Sequence, residues 1–293
     1  FLGAGQVGAI TGNLVLQATD SITVGAAITK PLGGLALETG GTLTINAPVV
    51  LGAGDLTLFG RIIALNELVQ VSNAATVLLD HAGSDFPSSV TEAGAGRITA
   101  GTLTQGRLLF DDITLGGANL VGQIIDLRAL NTVLFNNTQS LLVSGTVSGS
   151  GAVSIDVRGG DLSLTGLVSS AGAAQLRASG GITLAAAGQV DAAGISLAAA
   201  FDFTAGTVAL ANPGGITMNG LLLSFSDGGI ETIQLAAGAG GITQGTGYLQ
   251  GSTLTVRSGG DASLASVQPV FDGSNQLLAL GPSSVAGNFS LAA

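Results

Sequence analysis

Few side chains in this chain can do chemistry, and each can be weighed in turn. The single histidine, His81, stands beside Asp80 and near Ser84, Asp85 and Ser88. Those residue types would suit nucleophilic hydrolysis, but a Ser-His-Asp site needs its groups to converge in space beside an oxyanion hole. Closeness within a polar, proline-containing run does not supply that, so His81 is expected to be a solvated loop histidine. Asp111-Asp112 is the only adjacent acidic pair. Neighbours on a strand point to opposite faces, so without a corner between them they cannot act together as general acid and base. Glu38 and Asp55 lie about one repeat apart, and Asp156 and Arg177 lie one full repeat apart, a spacing that suits an ion pair between successive turns. Such a pair is worth little when exposed. Gly-Gly-Asp occurs at 159–161 and 259–261, but the further glycine and aspartate of tandem calcium-binding nonapeptides are missing. Thr42-x-Thr44, Thr102-x-Thr104 and Thr253-x-Thr255 do not fall on consecutive repeats, as an ice-binding face would require. Glycine is so frequent that a chance match to a phosphate-cradling loop carries nothing. The reading is non-enzymatic, with no catalytic, cofactor or metal residue assigned.

Composition says why chemistry is sparse. Of 293 residues, 48 are glycine and 46% are hydrophobic, while only 9% are charged and 4% aromatic. Disordered chains are poor in apolar residues and rich in charge, so disorder is excluded. Six prolines cannot support a collagen repeat, and the near absence of Lys and Glu excludes a coiled coil. Small and β-branched residues interrupted by glycine are an all-β composition. The net charge of −10, with one lysine and scattered arginines, argues against nucleic acid. Without cysteine there are no disulfides and no thiolate chemistry, which suits export in an unfolded state. No apolar run is long enough to cross a bilayer as a helix, so no transmembrane helix is expected.

The elements that would position any site are revealed by a period. Leu14, Leu35, Leu56 and Val77 each begin an apolar-x-apolar unit at one constant step, and Ile98 continues the series. Leu141 and Leu162, Ile195 and Ile216, and Ile233 and Leu254 repeat the same step. A second register pairs Ile22 with Leu43 and Leu103 with Ile124. Alternation means that one face of a short strand is buried, and the intervening Gly, Asn and Ser mark sharp corners. One such turn cannot bury its own apolar face, but stacked turns can, with like residues about 4.8 Å apart. The predicted fold is therefore all-β: a parallel β-helix (β-solenoid) of about 21 residues per turn and about 14 turns, forming a single continuous segment over 1–293. Leu14, Leu35, Leu56, Val77, Leu141, Leu162, Ile195, Ile216, Ile233 and Leu254 are its predicted structural ladder residues. Phe is expected where the interior widens. The alanine runs 185–187 and 198–200 are expected as strand or corner.

Two polar stretches, 80–92 and 266–276, break the rhythm and are predicted to be loop excursions, the places where binding tends to reside on a solenoid. Both termini read as cuts through a longer polypeptide. An uncapped solenoid exposes strand edges, so further turns, end-to-end stacking or self-association into filaments are expected.

Several units resemble a known family. Gly159-Gly160-Asp161-Leu162-Ser163-Leu164, Gly180-Gly181-Ile182-Thr183-Leu184, Gly214-Gly215-Ile216-Thr217-Met218 and Gly259-Gly260-Asp261-Ala262-Ser263-Leu264 are similar to the repeats of filamentous haemagglutinin-like proteins. So are Gly96-Arg97-Ile98-Thr99 and Gly145-Thr146-Val147. The resemblance implies the right-handed hand of the β-helix, export across the outer membrane, and an adhesive or fibrous stalk on the bacterial cell surface. It implies host or neighbouring-cell glycan or protein as partner, with no cofactor. The enzyme alternative is a β-helix polysaccharide-degrading or polysaccharide-binding protein, which would need carboxylates converging from consecutive turns.

Overall fold

The computed structural model describes residues 4–81, 83, 87–224, 231–265 and 275–292. The protein is nearly all β. Where one continuous domain is predicted, the chain divides into two compact units, 1–137 and 138–293.

In the first unit, short strands follow one another in threes. Leu14–Ala18, Ser21–Val24 and Ile28–Lys30 are succeeded by Leu35–Thr39, Thr42–Ile45 and Val49–Leu51, then by Leu56–Phe59, Ile62–Leu65 and Leu68–Gln70. Each strand pairs in parallel with its counterpart in the next group of three. Leu14 faces Leu35, Leu35 faces Leu56, and Leu56 faces Val77. Ile22 faces Leu43 and Ile28 faces Val49 in the other two positions. We call each level of this pairing a rung. Leu37, Leu43, Val49, Leu56, Leu58 and Val77 are fully buried. Their neighbours in sequence point outward, as the alternation requires. Phe110 and Phe135 also lie in the interior.

The series does not run on to Ile98. Val77 pairs with Leu103, while Ile98 pairs with Val69. Extra chain between Asp80 and Ser88 lengthens this period, so a residue one ordinary step on falls on another face. The predicted excursion 80–92 is correspondingly shorter: Ser89–Glu92 is a strand, paired with Ile62–Leu65 and with Asp112–Thr114.

The outer edge of Ile28–Lys30 is not bare. The helix Ala4–Ala9 lies against it with Val7 buried. Lys30, the only lysine, is fully buried and donates from Nζ to the carbonyls of Ile10 (2.6 Å), Gly12 (2.7 Å) and Leu32. An ammonium removed from water needs such acceptors. The expectation of uncapped edges therefore fails at this strand.

In the second unit Leu141, Leu162, Ile182, Ile216 and Ile242 form one ladder. Val153, Ala174, Ile195, Ile233 and Leu254 form another. Ile195 and Ile216, predicted as partners, thus belong to different ladders. After Ala198 the chain leaves the repeat, rejoins it at Ile216–Met218 and Leu221–Ser224, and reaches this ladder again only at Thr232, so the step from Ile195 to Ile233 is far longer than its neighbours. Glycine marks where backbones meet closely: a Cβ on Gly172 would strike the carbonyl of Gly151, one rung away. Most of the second predicted excursion, 266–274, lies outside the described residues.

Candidate functional site

The most elaborate side-chain cluster lies on the outside of the second unit. Asp156 sits between inward Ile155 and Val157 on the strand Ala152–Val157, so its carboxylate points outward. The register places Arg177 one rung on. Arg177 grips Asp156 with two parallel hydrogen bonds, Nε to Oδ1 and Nη2 to Oδ2, both 2.7 Å. Arg158 Nη2 stands 3.8 Å from the same Oδ2. Asp156 is only 3% exposed, so this is no open surface pair. A half-buried bidentate pair of this kind holds geometry and is costly to break from one side.

The cover comes from a segment whose sequence signals no excursion. Strand Gln189–Ala198 ends at a corner where Ala200 takes φ +55°, unusual without glycine. The chain then makes a two-strand antiparallel hairpin, Phe201–Asp202 with Thr207–Val208. Asp202 Oδ1 shapes its tip by accepting from the N–H groups of Thr204 (2.8 Å) and Ala205 (3.1 Å), and Gly206 supplies a left-handed residue. Phe201, Val208 and Leu210 pack over Ala198, Ala200 and Ala236. Alanine on the outer face leaves room for this; a larger side chain would lift the hairpin. The Phe201 and Phe203 rings meet edge to face at 4.9 Å. Arg177 lies over Phe201 at 4.9 Å, and Arg158 over Phe203 at 5.2 Å. Following the register outward from Asp156, the file reads Asp156, Arg177, Ala198, Ala236, Arg257.

A second outward file, in the first unit, reads Gln17, Glu38, Phe59, Asp80. Gln17 Nε2 donates to Glu38 Oε2 at 2.6 Å beside a shallow groove of about 370 Å³.

Inside the first unit, one ladder contains a carboxylate. Val24, Ile45 and Leu65 are succeeded by Glu92. Its Oε2 accepts from Gly117 N–H (2.7 Å) and from Nδ2 of fully buried Asn119 (3.1 Å). Its Oε1 is buried without a partner among the described residues. Burial pushes the Glu92 carboxyl up to about 7, against the lowering effect of the Gly117 and Asn119 donors.

The residues singled out by type fall as follows. His81 is not a solvated loop residue; it is 4% exposed, with its ring 4.6 Å from Phe110 and Nε2 donating to the Leu109 carbonyl at 3.0 Å. Its Nδ1 has no partner among the described residues. Ser88 bonds instead with Asp111, donating from its N–H to Oδ2 at 2.7 Å and accepting at Oγ from Asp111 N–H at 3.1 Å. Ser84 and Asp85 lie outside the described residues. Asp112 Oδ1 accepts from Thr132 N–H at 3.2 Å, so the adjacent acids serve different neighbours. Asp55 Oδ1 accepts from Thr76 N–H at 2.8 Å and is not brought to Glu38. The aspartates after the glycine pairs brace corners: Asp161 Oδ1 accepts from Gly181 N–H, and Asp261 Oδ1 from Asn288 N–H, each at 2.7 Å. Among the described residues no three His, Asp or Glu side chains gather to hold a metal ion. No helix there is long and apolar enough to cross a membrane. The Thr-x-Thr units do not stack on each other, but Ser163, Thr183, Thr217, Thr243, Ser263 and Ser290 do share one outward file.

Compared with protein-family models, curated proteins and solved structures, the chain has no match.

Proposed function

We propose that each unit is a stretch of right-handed parallel β-helix, and that the chain is a non-enzymatic structural or adhesive segment of a large secreted bacterial surface protein of the filamentous haemagglutinin-like kind. The observation that carries this reading is the register: Leu14, Leu35, Leu56 and Val77 stand on successive parallel rungs at one constant step in sequence. A winding chain needs only apolar side chains within and tight corners without, so most of its outward surface is free to vary. Such a surface repeats weak contacts many times over, which raises avidity without any deep pocket. The catalytic alternative draws no support from Asp55, Asp111, Asp112, Asp161 or Asp261, because each accepts from backbone N–H groups at corners or between rungs.

The test is location and form. Antibody raised against the chain should label intact cells of the source organism, along surface fibres seen by electron microscopy. Label confined to the cell interior would overturn the proposal.

A further inference from the structure

The second unit contains three basic side chains, Arg158, Arg177 and Arg257, and no lysine. Arg177 and Arg257 lie in the file that begins at Asp156, and Arg158 stands beside its first member, although residues 138–293 carry eight acidic side chains. Their states differ. Arg177 is committed to Asp156 through Nε and Nη2, which cancels that carboxylate. Arg158 is 48% exposed in its side chain and 3.8 Å from Asp156, beyond hydrogen-bond distance. One face of its guanidinium rests on Phe203, which holds the group in place while about half of the side chain stays open to solvent. Arg257 is exposed and pairs in register with Ala236, which packs against the hairpin. Four rungs separate the level of Asp156 from that of Arg257, about 19 Å at about 4.8 Å per rung. The hairpin between them carries one acid, Asp202, whose Oδ1 already accepts from two N–H groups.

From this we propose that the Asp156–Arg257 file is a docking track for a carboxylated, uronate-type polysaccharide, anchored at Arg158 and Arg257. The inference rests on the adhesive reading above and adds its ligand class. A planar guanidinium edge matches a carboxylate through two parallel hydrogen bonds. No compact metabolite reaches both arginines, whereas an extended polymer with a carboxylate on successive sugars does. A ring-stacked guanidinium is already ordered, so less freedom is lost on binding.

Binding of the purified chain to immobilised polygalacturonate at low ionic strength tests this, with dextran sulfate, neutral dextran and polyglutamate as the other probes. The wild-type chain should bind polygalacturonate and lose it as salt rises. Arg158→Gln and Arg257→Gln should each weaken binding about tenfold, with unchanged thermal melting. Arg97→Gln, on the exposed surface of the first unit, should leave binding unchanged. Absence of binding to polygalacturonate would overturn the track, as would equal binding by the Arg158 and Arg257 variants. Equal or tighter arginine-dependent binding to dextran sulfate or polyglutamate would overturn the carboxylated-glycan assignment. Surface labelling of cells reads the fibre proposal separately, so a failed track with labelled fibres refutes only the ligand.

Discussion

Glu92→Gln should remove a pH dependence of stability that originates in one interior carboxylate. Glu92 occupies the ladder position taken by Leu65 one rung earlier. Two donors meet its Oε2, from Gly117 and Asn119, but none among the described residues meets its buried Oε1. The cost of dehydrating the anion outweighs those two hydrogen bonds, and the carboxyl rises from the ordinary 4.5 to about 7. The folded chain thus keeps a proton that the unfolded chain releases near pH 4.5. Stability from this group is fully present below about pH 4.5 and is lost as pH rises through about 7. A rise from 4.5 to about 7 corresponds to about 3 kcal/mol. Glutamine mimics the protonated acid at every pH, keeping an acceptor for Gly117 and Asn119. Urea unfolding of both proteins between about pH 4.5 and about pH 8.5, followed by circular dichroism, isolates the group, because all other carboxylates are common to the pair. Wild type should weaken relative to Glu92→Gln by about 3 kcal/mol across that range. Parallel curves with a constant offset would refute the argument.

Three further outcomes follow from buried groups. Leu56, fully buried between Leu35 and Val77, should cost about 3 kcal/mol when replaced by Ala, and considerably more as Leu56→Asp, which buries an unpaired charge; equal melting of wild type and Leu56→Asp would count against the ladder. Lys30→Met should leave the carbonyls of Ile10, Gly12 and Leu32 without their shared donor, lowering stability by about 2 kcal/mol or more and exposing the segment 4–12 to limited proteolysis; unchanged cleavage there would show that the ammonium does not hold it. Arg177→Met should cost about 3 kcal/mol by stranding the Asp156 carboxylate, with part of the loss recovered in the Asp156→Asn, Arg177→Met double variant; strict additivity in that cycle would mean the two side chains do not interact.

The ladders were legible wherever one repeat led directly to the next. Leu14 to Val77, Leu141 with Leu162 and Ile233 with Leu254 meet at the expected spacing because each step holds only strands and corners. Counting failed where chain was inserted. Ile98 and Ile216 keep the numerical period but sit on other ladders, past the extra residues near 80–88 and past the hairpin after Ala198. The arginine cluster was half visible: Asp156 and Arg177 stand one period apart, and that spacing predicts their pairing. Nothing local marks Phe201 and Phe203 as its cover, since an Ala-Ala-Ala-Phe run carries no turn signal of the Gly-Pro kind.

By itself, the amino-acid sequence determined an all-β chain with alternating inward and outward residues and corners kept small by glycine. Those properties are local: they depend on the preferences of neighbouring residues and on a burial period of two. Tertiary structure alone decided that His81 and Lys30 are buried, that Glu92 takes a leucine's place in the interior, and that Arg158, Arg177 and Arg257 share one face. Their surroundings come from other rungs, distant in sequence, and a short insertion changes which rung that is without altering the local pattern.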